Sequence, residues 1–432
     1  MRRPPSKRGP QRTREEERPT EAEDLGQIDL TNLFRAARDC GAEELLELLR
    51  QEEDRLIDLL QAERLPSGVH RYVRGGHYRR ALVTKLGMVV VVITRIRDRL
   101  RRRTFSPLLH VLGLSRRRYS RDLRLACAEE ATRTSYGEAS ESIQRSLNVR
   151  VPRRTIWNFV QEIAPWAEQG ARSVPILETD GAHVADGTFV RSWWRGRPHE
   201  VNVAIRQRRS DHKVEVVGLR VGGAAGRVIG PEVERLVTDG ALAYSPRPEV
   251  WHQLCHVHFL RHLTDLLRDE RGLMPPAERE ALVRELGGVL AHLRASVAKH
   301  SVDGNRVAVG LRIEATLERL GEIGHALDRA GLRQSARFVQ DRGRATVVFA
   351  EVASRGGWMP ATSNGVERVM GMIADRCKRK WAHWNRGLDN MLQLLLIRKT
   401  RPAAYSWAVR GYLRGACLTR LAPLGRPRIN NP

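Results

Sequence analysis

Two short passages deliver an acid in the same way. Residues 176–181 (ILETDG) run from apolar residues into Asp180–Gly181, and residues 234–240 (ERLVTDG) end on Asp239–Gly240. An apolar strand that ends in aspartate brings a carboxylate to the edge of a sheet, and the glycine then turns the chain or lets a ligand approach. Two carboxylates so placed suit a pair of hard divalent cations, Mg²⁺ or Mn²⁺, which prefer oxygen ligands. Glu178 shares a strand face with Asp180 by the alternation of side chains and is a candidate extra ligand. Asp186 falls in what reads as the following turn and is assigned a structural role.

A third acid comes from a different pattern. In TSNGVERVMGMIADRCKRKWAHW (362–384), Glu367 sits in the first turn of a helix whose apolar positions are Val366, Val369, Met370 and Ile373. Thr362, Ser363 or Asn364 can cap that helix, and an acid there complements the helix dipole. Asp375 competes with Glu367 for the role. Arg376, Lys378, Arg379 and Lys380 follow and would hold DNA phosphates near the acid. Trp381 and Trp384 stand beside them as candidates for stacking on unpaired bases, like Trp193 and Trp194 in RSWWRGRP, although burial in a core is the more frequent role of tryptophan.

Between the second and third acids lies Cys255-x-x-His258, with His252, His256 and His262 close by in the chain. A structural zinc site ordinarily needs two ligand pairs, and no second pair is present, so plain packing competes with metal binding.

These groups need elements to carry them. Strands are expected at Val174–Thr179, about 200–207, Val214–Val221 and Arg235–Thr238, followed by a short strand leading into a helix at 252–267. Residues 276–350 are helical in pattern, and 351–402 close the unit with helices at 363–376 and 386–399. Upstream, Leu30–Leu65 suggests two amphipathic helices within an N-terminal segment 26–69, after a polar tail at 1–25. Residues 77–99 suggest a short β-hairpin. SYGEASESIQRSLNVRVPRRTIWNFVQEIA reads as helix, turn, helix, with Pro152 opening the second helix and Arg153 and Arg154 facing outward. Residues 403–432 form a C-terminal tail.

The 432-residue chain carries a formal charge of +25. Only 7 of its 75 basic residues are lysine, as a GC-rich coding sequence would give, so local concentration is the better signal. Residues 70–124 hold 16 basic residues against Asp98 and Asp122 alone. Such density, with clusters at Arg101–Arg102–Arg103 and Arg116–Arg117–Arg118, suits phosphate binding and marks 70–165 as a DNA-binding region. The five scattered cysteines imply no disulfide framework and suit a reducing cytoplasm. No apolar run approaches the ~20 residues of a membrane span.

Taken in order, TDG at 179–181, TDG at 238–240, CHVH at 255–258, a helical block and SNGVERVMG at 363–371 resemble the Mutator-like DDE transposases of bacterial insertion sequences. The likeness covers roughly 170–400, and FSPLLHVLGL and SYGEASESI extend it loosely upstream. The resemblance implies an α/β protein with an RNase H-like catalytic domain (170–275 and 351–402), a helical insertion, and a mainly helical DNA-binding region in front. It implies Asp180, Asp239 and Glu367 as catalytic acids and metal ligands, with Cys255 and His258 near the active site. The partners it implies are double-stranded DNA, as terminal repeats and target, and further copies of the chain in a homodimer or larger oligomer on the nucleoid. The expected reaction is metal-dependent strand cleavage and strand transfer. An RNase H-like nuclease, or a transposase-derived DNA-binding protein without cleavage, are the alternatives.

Overall fold

A computed structural model describes residues 30–176, 180–191, 198–223, 225–241, 244, 248–270, 272–378, 384 and 386–414, with side chains from residue 38 onward. Trp193, Trp194, Glu178, Arg379, Lys380 and Trp381 lie outside the described residues.

The N-terminal part is built on one long helix rather than two. α1 (Leu30–Gln61) is unbroken, because Gly41 costs a helix only ~1 kcal/mol and no proline interrupts it. It packs on a hairpin of β1 (Tyr72–Thr84) and β2 (Gly87–Asp98), longer than the sequence suggests, completed by β3 (Arg103–Phe105) and the short α2 (Pro107–Val111). Leu56, Leu82, Val89, Val91, Ile93 and Leu108 form this unit's own core. The buried Glu53 carboxylate accepts bonds from Thr94 N (3.0 Å) and Thr94 Oγ1 (2.9 Å), which pins helix to hairpin.

Three helices connect this unit to the main body: α3 (Arg121–Ala131), α4 (Tyr136–Leu147) and α5 (Arg153–Ser173). α4 starts in a capping box, Ser135 and Glu138 each satisfying the other's backbone N–H, and stops where Asn148 takes a left-handed φ of 52°. Pro152 precedes α5, as the sequence indicates.

The main sheet has five strands in the order β6-β5-β4-β7-β8. β4 (Gly181–Val190), β5 (His199–Arg208) and β6 (Val214–Val221) run antiparallel, while β7 (Arg235–Thr238) and β8 (Trp251–Leu254) run parallel to β4. β4 is the central strand, buried on both faces from Ala182 to Asp186. Of the strand expected at 174–179, residues 174–176 are not in a strand and 177–179 lie outside the described residues; α5 continues to Ser173, and Asp180 directly precedes β4, which begins at Gly181. The apolar stretch before Asp180 looked like a strand, whereas a strand covered on both faces lacks the alternation that would identify it.

α6 (His256–Asp269), α7 (Pro276–Val302), α8 (Arg306–Arg329), α9 (Arg333–Gly343) and α10 (Val348–Ser354) follow the sheet. They bury a separate cluster that includes Phe259, Leu263, Leu290, Leu320 and Ile323. α11 (Asn364–Cys377), α12 (Leu388–Thr400) and α13 (Pro402–Leu413) return to the main core, where Val366, Val369, Ile373, Met391, Leu395 and Ile397 meet Val184, Val203 and Ile205 of the sheet. Among the described residues, no helix is long and apolar enough to cross a membrane.

Candidate active site

Strand pairing sets the first two acids. His183 lies opposite Leu236 and Val184 opposite Val237 on the parallel strands β4 and β7. Continuing that register puts Asp186 level with Asp239, which leaves the end of β7. Gly240 then turns the chain at φ +87°, and Ala241 N donates to Asp239 Oδ1 at 2.9 Å. Thr238 supports the turn from below: its Oγ1 accepts from Gly240 N (3.1 Å) and meets His252 Nε2 (2.8 Å).

Asp186 is 9% exposed, and its Oδ1 accepts a 2.7 Å bond from Gly187 N. Burial pushes its carboxyl above the ordinary aspartate value, and the charges of Asp239 and Glu367 push it further, against the pull of Gly187 N and His258. The buried acid of the central strand thus feels the charges of an acid at a strand end and of one on a helix. Among the described residues no three acid, imidazole or thiol groups lie together at metal-binding spacing. The donor set is all oxygen, which fits a hard divalent ion.

Glu367 reaches the site on the first turn of α11, at the end that lies on the sheet. Gly365 makes that approach possible, since a Cβ there would meet Gln207 Oε1 at 2.7 Å and Ile205 Cδ1 at 3.1 Å. Ser363, fully buried before the helix, ties three groups together. Its N–H and hydroxyl both lie 3.2 Å from Cys255 Sγ, while its hydroxyl is 3.3 Å from His258 Nδ1 and 3.3 Å from Glu367 Oε1. One hydroxyl proton serves one acceptor at a time. A hydrogen bond from His258 Nδ1–H into Ser363 Oγ leaves that proton for Glu367 or the sulfur. Burial pushes the Cys255 thiol up, but bonds from His258 and Ser363 outweigh it and the net shift is downward. His258 moves upward, held by Cys255 first and by Asp186 and Asp239 further out. The Cys-x-x-His element thus lies beside the acids and orients the third.

Asp180, the first acid expected from the sequence, stands elsewhere. It pairs with Arg235 Nη1 at 2.9 Å and with Arg209 Nη1 at 3.2 Å. Burial raises its carboxyl, but those two guanidinium groups hold it below the usual range overall. Six residues of strand, about 20 Å at ~3.3 Å per residue, separate it from Asp186. Asp186 was passed over although it too heads an Asp-Gly pair, in VADGTFV; that repeat was the available signal.

The basic and aromatic candidates divide. Arg101 and Arg102 lie in the exposed turn before β3 and Arg103 on β3 itself, all open to solvent. Arg116 and Arg118 are exposed, while Arg117 forms an ion pair with Glu162. Arg153 and Arg154 are exposed at the start of α5, with the Arg154 guanidinium 4.1 Å over Trp157, but beyond that turn α5 is a core helix. Lys378 Nζ bonds Thr188 Oγ1, two residues beyond Asp186. Arg376 and Trp384 are different: each is 6% exposed, and the guanidinium of Arg376 lies over Trp384 (5.0 Å) and Tyr136 (5.4 Å) and donates to Ala131 O at 2.7 Å. They brace α11 against α3 and α4 and present nothing to DNA.

No family model matches the sequence. Over 296 residues the chain is 26% identical to the transposase for insertion sequence element ISRM5 of Rhizobium meliloti (strain 1021), a span covering 63% of this chain and 71% of that protein. It is a distant homologue of a bacterial insertion-sequence transposase.

Proposed function

We propose that this protein is a DNA transposase of the DDE type, Mutator-like in motif order and RNase H-like in its catalytic domain, with Asp186, Asp239 and Glu367 as its acids. The observation that carries the reading is the parallel register of β4 and β7, which sets Asp186 level with Asp239 at one edge of the five-stranded sheet, with the charge of Glu367 felt at Asp186. The mixed sheet, the helical block between the second and third acids, and the distant likeness to a transposase support it.

Each acid has one oxygen occupied by the protein: Asp186 by Gly187 N, Asp239 by Ala241 N, Glu367 by Ser363 Oγ. Such bonds fix the carboxylate's orientation and leave the other oxygen for a ligand. Asp186, Asp239 and Glu367 would hold two Mg²⁺ or Mn²⁺ ions, which when bound supply charge for the scissile phosphate and lower the pKa of the attacking water. Water attacks the phosphorus, the bond to the 3′ oxygen breaks, and that oxygen leaves as a free 3′-OH. In the transfer step the 3′-OH attacks a target phosphodiester, so one P–O bond forms as another breaks and no energy source is needed. Lys378, anchored on Thr188, places a positive charge beside the same edge for the DNA backbone. Exposed arginines at 101–103, 116, 118, 153 and 154 supply the sequence-independent grip on duplex DNA. Assembly of two or more copies on the DNA belongs to the same proposal.

The test is nicking of supercoiled plasmid by the full chain with Mg²⁺ or Mn²⁺. Wild type nicks and Asp239→Asn does not; equal rates would remove Asp239 from the site. Terminal inverted repeats in the DNA flanking the gene are the matching genetic observation.

A further inference from the structure

A second cationic site lies at the opposite end of the sheet. A cavity of 220 Å³ opens where the turn between α7 and α8 meets the end of α10 and Arg209 of the β5–β6 turn. Arg209, His300, Ser301, Arg306, Gly356 and Gly357 contribute to its lining, and among the described residues no carboxylate does, the nearest being Asp180 on Arg209 at 3.2 Å. His300 is half-buried, and its Nδ1 is closed off from solvent without a hydrogen-bond partner. A buried ring nitrogen in that condition is costly unless a ligand or water completes it. Arg306 is exposed, and its guanidinium lies over Gly356, where a Cβ would come within 3.0 Å of Nη2; Gly356 holds φ +84°. Arg306 is also the first residue of the 24-residue α8, whose positive dipole end adds to the field. Arg209 is one of the two arginines that already clasp Asp180.

We propose that this cavity binds one phosphate group, taken from the backbone of DNA lying across the junction of the helical insertion and the sheet. Two guanidinium groups and a helix N-terminus, with the His300 ring in the wall, form a receptor for a tetrahedral oxyanion. Because the insertion carries Arg306 and His300 while the sheet carries Arg209, an occupied site fastens the insertion to the catalytic sheet. The proposal rests on the DNA reading above for the origin of the phosphate, not for the site itself.

The experiment compares the full wild-type chain with Arg306→Ala, His300→Gln and a control, Arg329→Ala, which removes an exposed charge at the far end of α8. One arm follows fluorescence anisotropy of a labelled duplex across a salt series. The other follows thermal unfolding in inorganic phosphate against chloride at matched ionic strength. For a DNA phosphate, Arg306→Ala weakens duplex binding on the order of tenfold and flattens the salt slope by ~0.9, and the control does neither. For a free phosphate, inorganic phosphate raises the wild-type unfolding temperature, Arg306→Ala and His300→Gln abolish the rise, and duplex binding is unchanged; this keeps the site and overturns its assignment to DNA. If Arg306→Ala matches wild type or the control in both arms, there is no phosphate site. Wild type that neither binds duplex nor nicks plasmid would instead count against the proposed function, and the inorganic-phosphate arm still reads the cavity.

Discussion

Asp186 and Asp239 stand side by side on neighbouring parallel strands, although 53 residues separate them in sequence. The pairing of β4 with β7 is enough to place them, and the buried member feels the other's charge. Asp180 has no such partner: its neighbours are two arginines.

Asp186→Asn and Asp180→Asn should therefore separate cleanly. The first is expected to lower plasmid nicking by more than the ~10–100-fold typical of losing a supporting partner of a metal ligand, with duplex binding retained. The second should nick within a few-fold of wild type. It should cost ~0–1 kcal/mol of stability, since both of its ion pairs are partly exposed. Nicking rates and denaturant unfolding on the same preparations check both; equal loss of nicking in the two variants would return Asp180 to the site.

Ser363→Ala should act through Glu367. Removing the hydroxyl frees Glu367 Oε1 and breaks the link to His258 and Cys255. A fall of roughly 10–100-fold in nicking is expected with unchanged duplex affinity. Ser363→Thr, which keeps the hydroxyl, should recover part of it. A variant as fast as wild type would make the bridge ornamental.

Acid stability should be set in part by buried histidines. His256 Nε2 meets Thr346 O at 2.7 Å and Nδ1 meets Arg294 Nη1 at 2.8 Å, so a neutral ring donates to the carbonyl and accepts from the guanidinium. Burial pushes it down to about 4, and His183 is likewise pushed down to about 4 by burial and then by Arg206. A folded-state pKa below the unfolded 6.5 gives stability that is full above 6.5 and lost as the pH falls through 4. His256→Gln should flatten that part of the stability curve, by up to about 3 kcal/mol between the two limits. Urea unfolding from pH 7 to pH 4 is the measurement, and parallel curves for variant and wild type would refute the attribution.

Two arginine substitutions should have unlike effects. Replacing Arg101, Arg102 and Arg103 together by alanine should weaken duplex binding and reduce the salt slope by ~0.9 for each lost phosphate contact, with little change in folding. Arg376→Ala should leave the slope alone and cost about 2–4 kcal/mol of stability, because a buried cation–π and hydrogen-bonded contact is lost. Salt-dependent anisotropy with thermal unfolding distinguishes them.

Much of this was legible in the sequence. Asp239 and Glu367 carried local signals, a strand ending in Asp-Gly and a cap followed by a helical stripe; the β4–β7 register sets Asp239 level with Asp186, and the charge of Glu367 is felt there. The Cys255-x-x-His258 spacing put both side chains near one end of α6, where Ser363 meets them. Asp186 was hidden because β4 is covered on both faces and shows no alternation. Its neighbours in the site come from β7 and α11, which one local window cannot display. Arg376 and Trp384 misled for a related reason: charge and aromaticity suggest a surface, and only the packing of Tyr136 against both shows that this surface is interior.

The helical block between Asp239 and Glu367 also governs when the site exists. As the chain emerges from the ribosome, β4 and β7 can pair and bring two acids together early. The third is 128 residues later and must wait for α6–α10 to be made and for α11 to seat Gly365 on β5. Closure over so long a separation is a late event in folding. A half-synthesised or truncated chain holds the aspartates without their glutamate, so under the proposed function a fragment that still binds DNA would lack the means to cut the gene that encodes it.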